Sequence, residues 1–463
     1  MAENSTSIPT ELGTEKIGKL LKQYALPAII AQTAASLYNM VDSIFIGQGV
    51  GPLAISGLAV TFPLMNLSTA FGTLVGAGAA TMLSVLLGQR NYKAANKVLG
   101  NVVSLNIIIG LLFMAVALIF IDPILYFFGA SENTLPYAKE YMKIILYGNI
   151  ITHVYFGLNA AMRSSGNPKK AMALTIFTVI FNTILDPIFI FTFDMGIAGA
   201  AWATVLAQAV AMTVVLRHFS DKNKAFHFEK GLFKLDLRVA KDSLAIGMGP
   251  FLMNSAACLV TLFINQQLRD YSGDLGIGAY GICNRIVFMF IMICMGLNQG
   301  MQPIAGYNYG ARQYSRVKEV FWKTAKAAMV VTTLCFIMGM FFPRAAVRIF
   351  THDEQLLEMA SQGMRLLTIM FPIVGFQMIG TNFFQSLGMV RKSVILSLSR
   401  QILFLLPLLY FLPMRLEAKG IWLSFPISDL LSAILTAIML GSLFRKFNRL
   451  HDGDDAKTLG SQL

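Results

Sequence analysis

Two acidic residues stand inside long apolar runs in the first half of this sequence. Asp42 lies in the stretch from Tyr24 to Ile46, and Asp186 lies near the end of another run. An ionisable group in such a run is costly to bury, so each is read first as a functional residue. Asn182 precedes Asp186 by four residues and shares its helix face. Tyr38 and Asn39, four and three residues before Asp42, share the face of that carboxylate. Pro187 removes a backbone donor and crowds the carbonyl of Thr183, which frees another oxygen. Thr204 offers a hydroxyl in the next run. Carboxylates, an amide, a hydroxyl and a carbonyl form an oxygen-rich set suited to a hard cation such as Na⁺. Two nearby carboxylates in a low dielectric also cannot both stay ionised cheaply, so the same pair can hold a proton. The residues leave H⁺ and Na⁺ both open. The bland alternative makes Asp42 a near-surface group hydrated from outside and Asp186 a structural hydrogen-bonding residue.

The elements that must position these groups are written in the composition. Of 463 residues, 56% are hydrophobic and 13% charged, with 37 Lys+Arg against 24 Asp+Glu. A soluble domain carries about 25% charged residues, so too little polar material is present to cover a globule. About twenty apolar residues cross a bilayer as a helix. Twelve such segments are expected, near 23–46, 53–87, 95–121, 135–161, 169–193, 197–217, 240–268, 277–309, 320–343, 356–385, 393–412 and 419–444. The second, eighth and tenth exceed a bilayer's need and are expected to tilt, bend or protrude. The N-terminal segment and every second loop hold 27 of the 37 basic residues, and the opposite loops hold eight. That asymmetry puts both termini in the cytoplasm. Because the charge follows topology, it argues against nucleic acid. With this orientation Asp42, Asp186 and Thr204 fall at one depth, below the outer surface.

The two halves resemble each other at a fixed offset. Gly88-Gln-Arg-Asn-Tyr92 recurs as Gly310-Ala-Arg-Gln-Tyr314, and Gly166-Asn-Pro-Lys-Lys170 as Gly388-Met-Val-Arg-Lys392, both at 222. Leu26-Pro27 pairs with Gly249-Pro250 at 223, and Gly199-Ala-Ala-Trp202 with Gly420-Ile-Trp422 at 221. Six spans per repeat bring both halves in from the same side, as in parallel-repeat transporters. The expected fold class is all-α: a polytopic membrane protein of twelve helices in two pseudo-symmetric six-helix bundles around a central cleft. The bundles are expected at 1–220 and 239–463, joined by a cytoplasmic linker at 221–238.

These features resemble the multidrug and toxic compound extrusion (MATE) family, most of all its bacterial DinF-like branch. The resemblance rests on the 6+6 repeat and the G-x-R-x-Y-type loops after spans two and eight. It also rests on Asn39-Met-Val-Asp42, Arg163-Ser-Ser-Gly-Asn-Pro168 and Asn182-Thr-Ile-Leu-Asp186-Pro187. It implies export of cationic or amphipathic drugs in exchange for H⁺ or Na⁺, with Asp42, Asn182, Asp186 and Thr204 in cation coupling. A second arrangement in the family, with acids in the C-terminal half, fits poorly: Cys283, Asn284 and Arg285 occupy span eight.

The second half holds Arg285, Arg400 and Asp429 inside spans eight, eleven and twelve. A structural ion pair is one reading; a basic lining for a substrate is the other. Tyr38, Asn39, Arg285 and Arg400 are therefore candidate cleft residues, and Pro27 and Pro187 candidate hinges. No H-E-x-x-H, C-x-x-C or G-x-x-x-x-G-K-[ST] occurs, so no zinc enzyme, redox dithiol or ATPase is expected. The expectation is a monomeric secondary exporter of the bacterial inner membrane, with small-molecule drugs or amphiphiles as substrates and no cofactor beyond the coupling ion. A flippase for a lipid-linked oligosaccharide is the alternative. It would need Arg and Lys lining in both halves.

Overall fold

The structure, a computed structural model, describes residues 10–222, 226–228 and 234–454, and all regular structure among them is helical. In hydrocarbon each backbone N–H and C=O must be satisfied within the chain, which selects helices. Among the described residues nine helices are long and apolar enough to cross a membrane, eleven spans result if each of two bent pairs counts as one, and the opening helix of 33 residues brings the number to twelve. In order these are α1 Ile17–Gly49, α2 Pro52–Gly88, α3 Tyr92–Ile119 and α4, a bent pair Leu135–Tyr147 and Asn149–Ser164. Next come α5 Pro168–Thr192 and α6 Gly196–Ser220. The second half has α7 Leu237–Gly273, α8 Leu275–Gly310, α9 Tyr314–Phe341 and α10, a bent pair Glu354–Thr368 and Phe371–Ser386. It ends with α11 Val390–Phe411 and α12 Pro413–Phe447. Proline opens α2, α5 and α12, where its missing N–H has no intrahelical role. Asn91 caps α3 by accepting from the N–H of Ala94 at 3.2 Å.

The repeat seen in the motifs is repeated in the backbone. Left-handed φ angles occur in pairs 222 or 223 residues apart: Gly51 and Gly273, Arg90 and Arg312, Gly166 and Gly388, Asp194 and Glu417. α4 and α10 each bend by 54°, around Gly148 and Met370. A short helix follows α3 at Ile121–Phe127, and another follows α9 at Pro343–Arg348.

The long spans behave differently from one another. α10 bends, and so does α4, which its expected length had not marked. α2 and α8 instead remain single helices through Pro63 and Pro303. Their glycines serve close packing. A Cβ on Gly78 would collide with the Ser243 carbonyl of α7 and lie 3.2 Å from the Gly247 nitrogen, and one on Gly300 would lie 2.5 Å from Cα of Ala25, the equivalent of Gly247, in α1. Those two contacts are again repeat-equivalent.

The chain divides into two compact units. The described residues of the first are 10–14, 30–222, 226–228 and 234–251; those of the second are 15–29 and 252–454. Each half thus lends the first part of its first helix to the unit built mainly from the other half. The changes of unit, after Ile29 in α1 and after Phe251 in α7, lie 222 residues apart. Pro27 and Pro250 stand just before them.

Candidate functional site

Four of the expected residues come together inside the first unit, on α1, α5 and α6. Asp42, Asn182, Asp186 and Thr204 are all buried, with Asp186 wholly inaccessible. The Asn182 amide Nδ2 donates to Asp186 Oδ1 at 3.2 Å and approaches Thr204 Oγ1 at 3.5 Å. The Thr204 hydroxyl donates to the Ala200 carbonyl at 3.1 Å. Asp42 lies within range of an electrostatic interaction with Asp186. Among the described residues, three oxygens, Asp42 Oδ1, Asn182 Oδ1 and Asp186 Oδ2, are buried without a hydrogen-bond partner. Orphaned acceptors are costly in an apolar interior, so they mark a place built to receive a donor or a cation.

Local sequence explains how the three helices meet. Pro187 cannot donate to the helix ladder, and α5 continues beyond it as a π turn, Ile188–Thr192. Such turns interrupt helices mostly at functional positions. Gly49 of α1 and Gly199 of α6 both press on this turn. A Cβ on Gly49 would collide with Ile190 Cγ2, and one on Gly199 would lie 2.8 Å from the Phe189 carbonyl carbon. Asp42 is seven residues before Gly49, Asp186 six before Thr192 and Thr204 eight after Gly196. At 1.5 Å per residue all three lie about 9–12 Å from their helix ends. Ile46, Ile190 and Ala200, each four residues nearer that end, pack in one buried apolar cluster with Leu58 and Tyr141. An apolar layer therefore closes the oxygen cluster on that side.

The side chains of Tyr38 and Asn39 lie outside the described residues, so their expected cleft role has no structural account. In the second unit Arg400 Nε donates to Asp429 Oδ1 at 2.6 Å. Arg400 sits in a π segment, Ser399–Leu405, as Asp186 adjoins one in α5. Arg285 is exposed on α8 and has no part in this pair. The bland reading of an ion pair thus describes Arg400 and Asp429. Among the described residues no cluster of three His, Cys, Asp or Glu side chains is placed to hold a metal ion.

One polar cluster was not singled out from the sequence. His153, fully buried at the start of the second arm of α4, places Nε2 2.9 Å from the Ser68 carbonyl. Ser68 Oγ donates to Asn149 Oδ1 at 2.5 Å, and Asn149 Nδ2 reaches the Gly110 carbonyl at 3.3 Å. Gly72 leaves room for the imidazole, since a Cβ there would stand 3.1 Å from its Cδ2. A lone histidine with no partner at helical spacing carries no signal in sequence; its partner, Ser68, comes from another helix.

The chain is similar to the multidrug export protein MepA of Staphylococcus haemolyticus, 27% identical over 427 residues, covering 92% of this chain and 94% of that protein. MepA of Staphylococcus aureus strain MRSA252 is 28% identical over the same coverage. The solved structure of the MATE multidrug transporter DinF-BH superposes with a TM-score of 0.88 at 36% identity, covering 97% of this chain and 100% of that one. An outward-facing MATE family transporter gives 0.89 at 22% identity, covering 96% of this chain and 99% of that one, and shares the fold. The MatE family model matches residues 27–188 and 246–411, one segment in each repeat. The chain belongs to the MatE family.

Proposed function

We propose that this protein is a secondary active multidrug exporter that exchanges cationic or amphipathic drugs for H⁺ or Na⁺ by alternating access. The observation that carries the coupling reading is the buried oxygen cluster on α1, α5 and α6, with unpartnered oxygens on Asp42, Asn182 and Asp186. A carboxylate in an apolar interior must be hydrated, paired or neutralised. Binding a proton or Na⁺ satisfies it and changes the packing that the surrounding helices tolerate. Pro187 and its π turn make bending of α5 comparatively cheap, and Pro27 does the same for α1 beside its change of unit. Cation binding then lowers affinity for the drug, and by linkage the drug lowers affinity for the cation.

The flippase reading is less well supported. A pyrophosphate-linked lipid needs uncompensated basic groups in the membrane. Here the first unit offers acids, and Arg400 is compensated by Asp429. We place the protein as a monomer in the bacterial inner membrane, both termini cytoplasmic, on the loop-charge asymmetry. The decisive measurement is drug accumulation in everted vesicles with H⁺ and Na⁺ gradients imposed separately. Accumulation driven by one gradient names the ion. Accumulation with neither, or transport of a lipid-linked sugar instead, overturns the proposal.

A further inference from the structure

The first unit contains a second cavity, of about 690 Å³, that the coupling site does not use. Fifteen residues of α2, α3, α7 and the short helix Ile121–Phe127 with its C-cap line it, and none has a nitrogen or oxygen in its side chain. Its inner wall is aromatic: Phe71 stands 5.3 Å from Phe113 and 4.8 Å from Phe251, centroid to centroid. Its mouth is flanked by Leu112, Val116 and Phe127, which are 62%, 55% and 70% exposed. In a polytopic membrane protein such exposed apolar side chains on a span face lipid.

The dimensions select the occupant. On α2 the lining runs from Leu64 to Leu74, and on α3 from Ile109 to Ala117. At 1.5 Å per residue those stretches cover about 12–15 Å, close to half of a hydrocarbon core about 30 Å thick. The slot closes against the short helix at the end of α3. There Asp122, next to lining residue Pro123, pairs with Lys139 at 2.7 Å. That ion pair marks the polar edge of the membrane. A lining without a side-chain oxygen or nitrogen does not suit a cationic drug, whose charge would have to be left unsatisfied.

We propose that this slot is a binding site for one acyl chain of a membrane phospholipid, drawn from the leaflet beside the end of α3. By the loop-charge topology this is the outer leaflet. The chain lies along α2 and α3, with its headgroup level with Asp122 and Lys139. Leu244 and Met248 of α7 form part of the wall, a few residues before the point at which α7 passes to the second unit. The lipid therefore packs against a segment that must adjust when the units move, and bilayer composition acts on transport through it.

Photocrosslinking of the full chain tests the proposal independently of transport. The protein is reconstituted in phosphatidylcholine vesicles carrying a photoreactive group on the acyl chain, irradiated, and mapped by peptide mass spectrometry. Labelling is expected to concentrate on Leu67, Phe71, Phe113 and Val116, several-fold above exposed positions such as Val330 and Leu334 on α9. Leu112→Trp blocks the mouth from an exposed position, without overfilling the packed interior, and should lower slot labelling several-fold. Ile337→Trp on α9 should leave it unchanged. The proposal is overturned if labelling is spread evenly over the exposed spans, or if Leu112→Trp does not reduce it. Displacement by excess lipophilic cationic dye would equally overturn it, because the slot would then be a drug site.

Discussion

The corner of the first half built by α5 and α6 and its counterpart in α11 and α12 share an architecture and differ in charge. Both turn at a left-handed residue, Asp194 or Glu417, with a glycine two or three residues on; each also carries a π segment, but Ile188–Thr192 and Ser399–Leu405 are not related by the repeat offset. In the first, Asp186 and Asn182 keep unpartnered oxygens and Asp42 adds another. At the offsets that the motifs show, the position of Asp42 is taken by Ile264 (222) or Asn265 (223), those of Asn182 and Asp186 by Phe404 and Leu408 (222), and that of Thr204 by Phe425 (221). The buried acid of the second half, Asp429, is placed elsewhere and tied to Arg400. The scaffold is present twice; among the described residues, buried acids with unpartnered oxygens in these spans occur in one copy. A repeated backbone costs nothing to keep, whereas an uncompensated carboxylate in hydrocarbon persists only where it is used.

The largest expected effect breaks this comparison at its functional side. Asp186→Asn keeps size and hydrogen bonding but fixes the charge at zero, and should abolish gradient-driven drug export. Asp42→Asn should do the same. Drug accumulation in everted vesicles at matched protein abundance reads both; wild-type accumulation in either variant removes that carboxylate from coupling.

The converse test addresses the second half. Arg400→Met leaves Asp429 buried and unpaired. It should cost about 2–4 kcal/mol of stability, read as a lower melting temperature in detergent. The double variant Arg400→Met/Asp429→Leu should recover most of that loss and still export drug. A double variant that is stable yet inactive would put ion or substrate chemistry in both halves.

A smaller effect is expected where the halves are alike. Gly78→Ala and Gly300→Ala each drive a methyl into the backbone of a crossing helix. Each should cost about 1–3 kcal/mol, by similar amounts. A large inequality in melting temperature would show that the two crossings are not mechanically equivalent.

The smallest effect lies where the residues after α12 meet the start of α9 in the second unit. Burial pushes the Asp452 carboxyl up, but hydrogen bonds from the Ser315 hydroxyl and its backbone N–H at 3.0 Å outweigh this, and its pKa lies below the usual value. The pair stabilises the fold above the ordinary carboxylate range, and that contribution disappears as pH falls through the lowered value. For so exposed a group, Asp452→Ala should cost under about 1 kcal/mol. Melting curves of the variant and the parent should converge in acid.

How much of this was legible in advance follows from range. The twelve helices, their paired loops and the repeat depend on local composition and spacing. Apolar runs, proline at helix starts and the Gly-x-Arg-x-Tyr turns therefore announced them. Asp42 and Asp186 were legible because a charge inside an apolar run is anomalous wherever the run packs. Asn182 followed from the four-residue spacing. The bend of α4 at Gly148 was not legible, because a Cβ there would collide with Val205 of α6, a partner 57 residues away. His153 was missed for the same reason. Arg285 and Arg400 looked alike as arginines in spans, yet among the described residues only Arg400 of the two pairs with an acid, and that acid is 29 residues on, in the next span.

The sequence by itself determined that the chain must span a membrane, how often it crosses, and which groups are too costly to be incidental. Those follow from transfer free energies and helical period, properties of each segment alone. Only the tertiary structure decided which helices bring those groups together, which oxygens stay unpartnered, and where the first helix of each half changes unit. Such outcomes depend on side-chain contacts between segments far apart in the chain, where one glycine or one π turn sets the approach of two backbones.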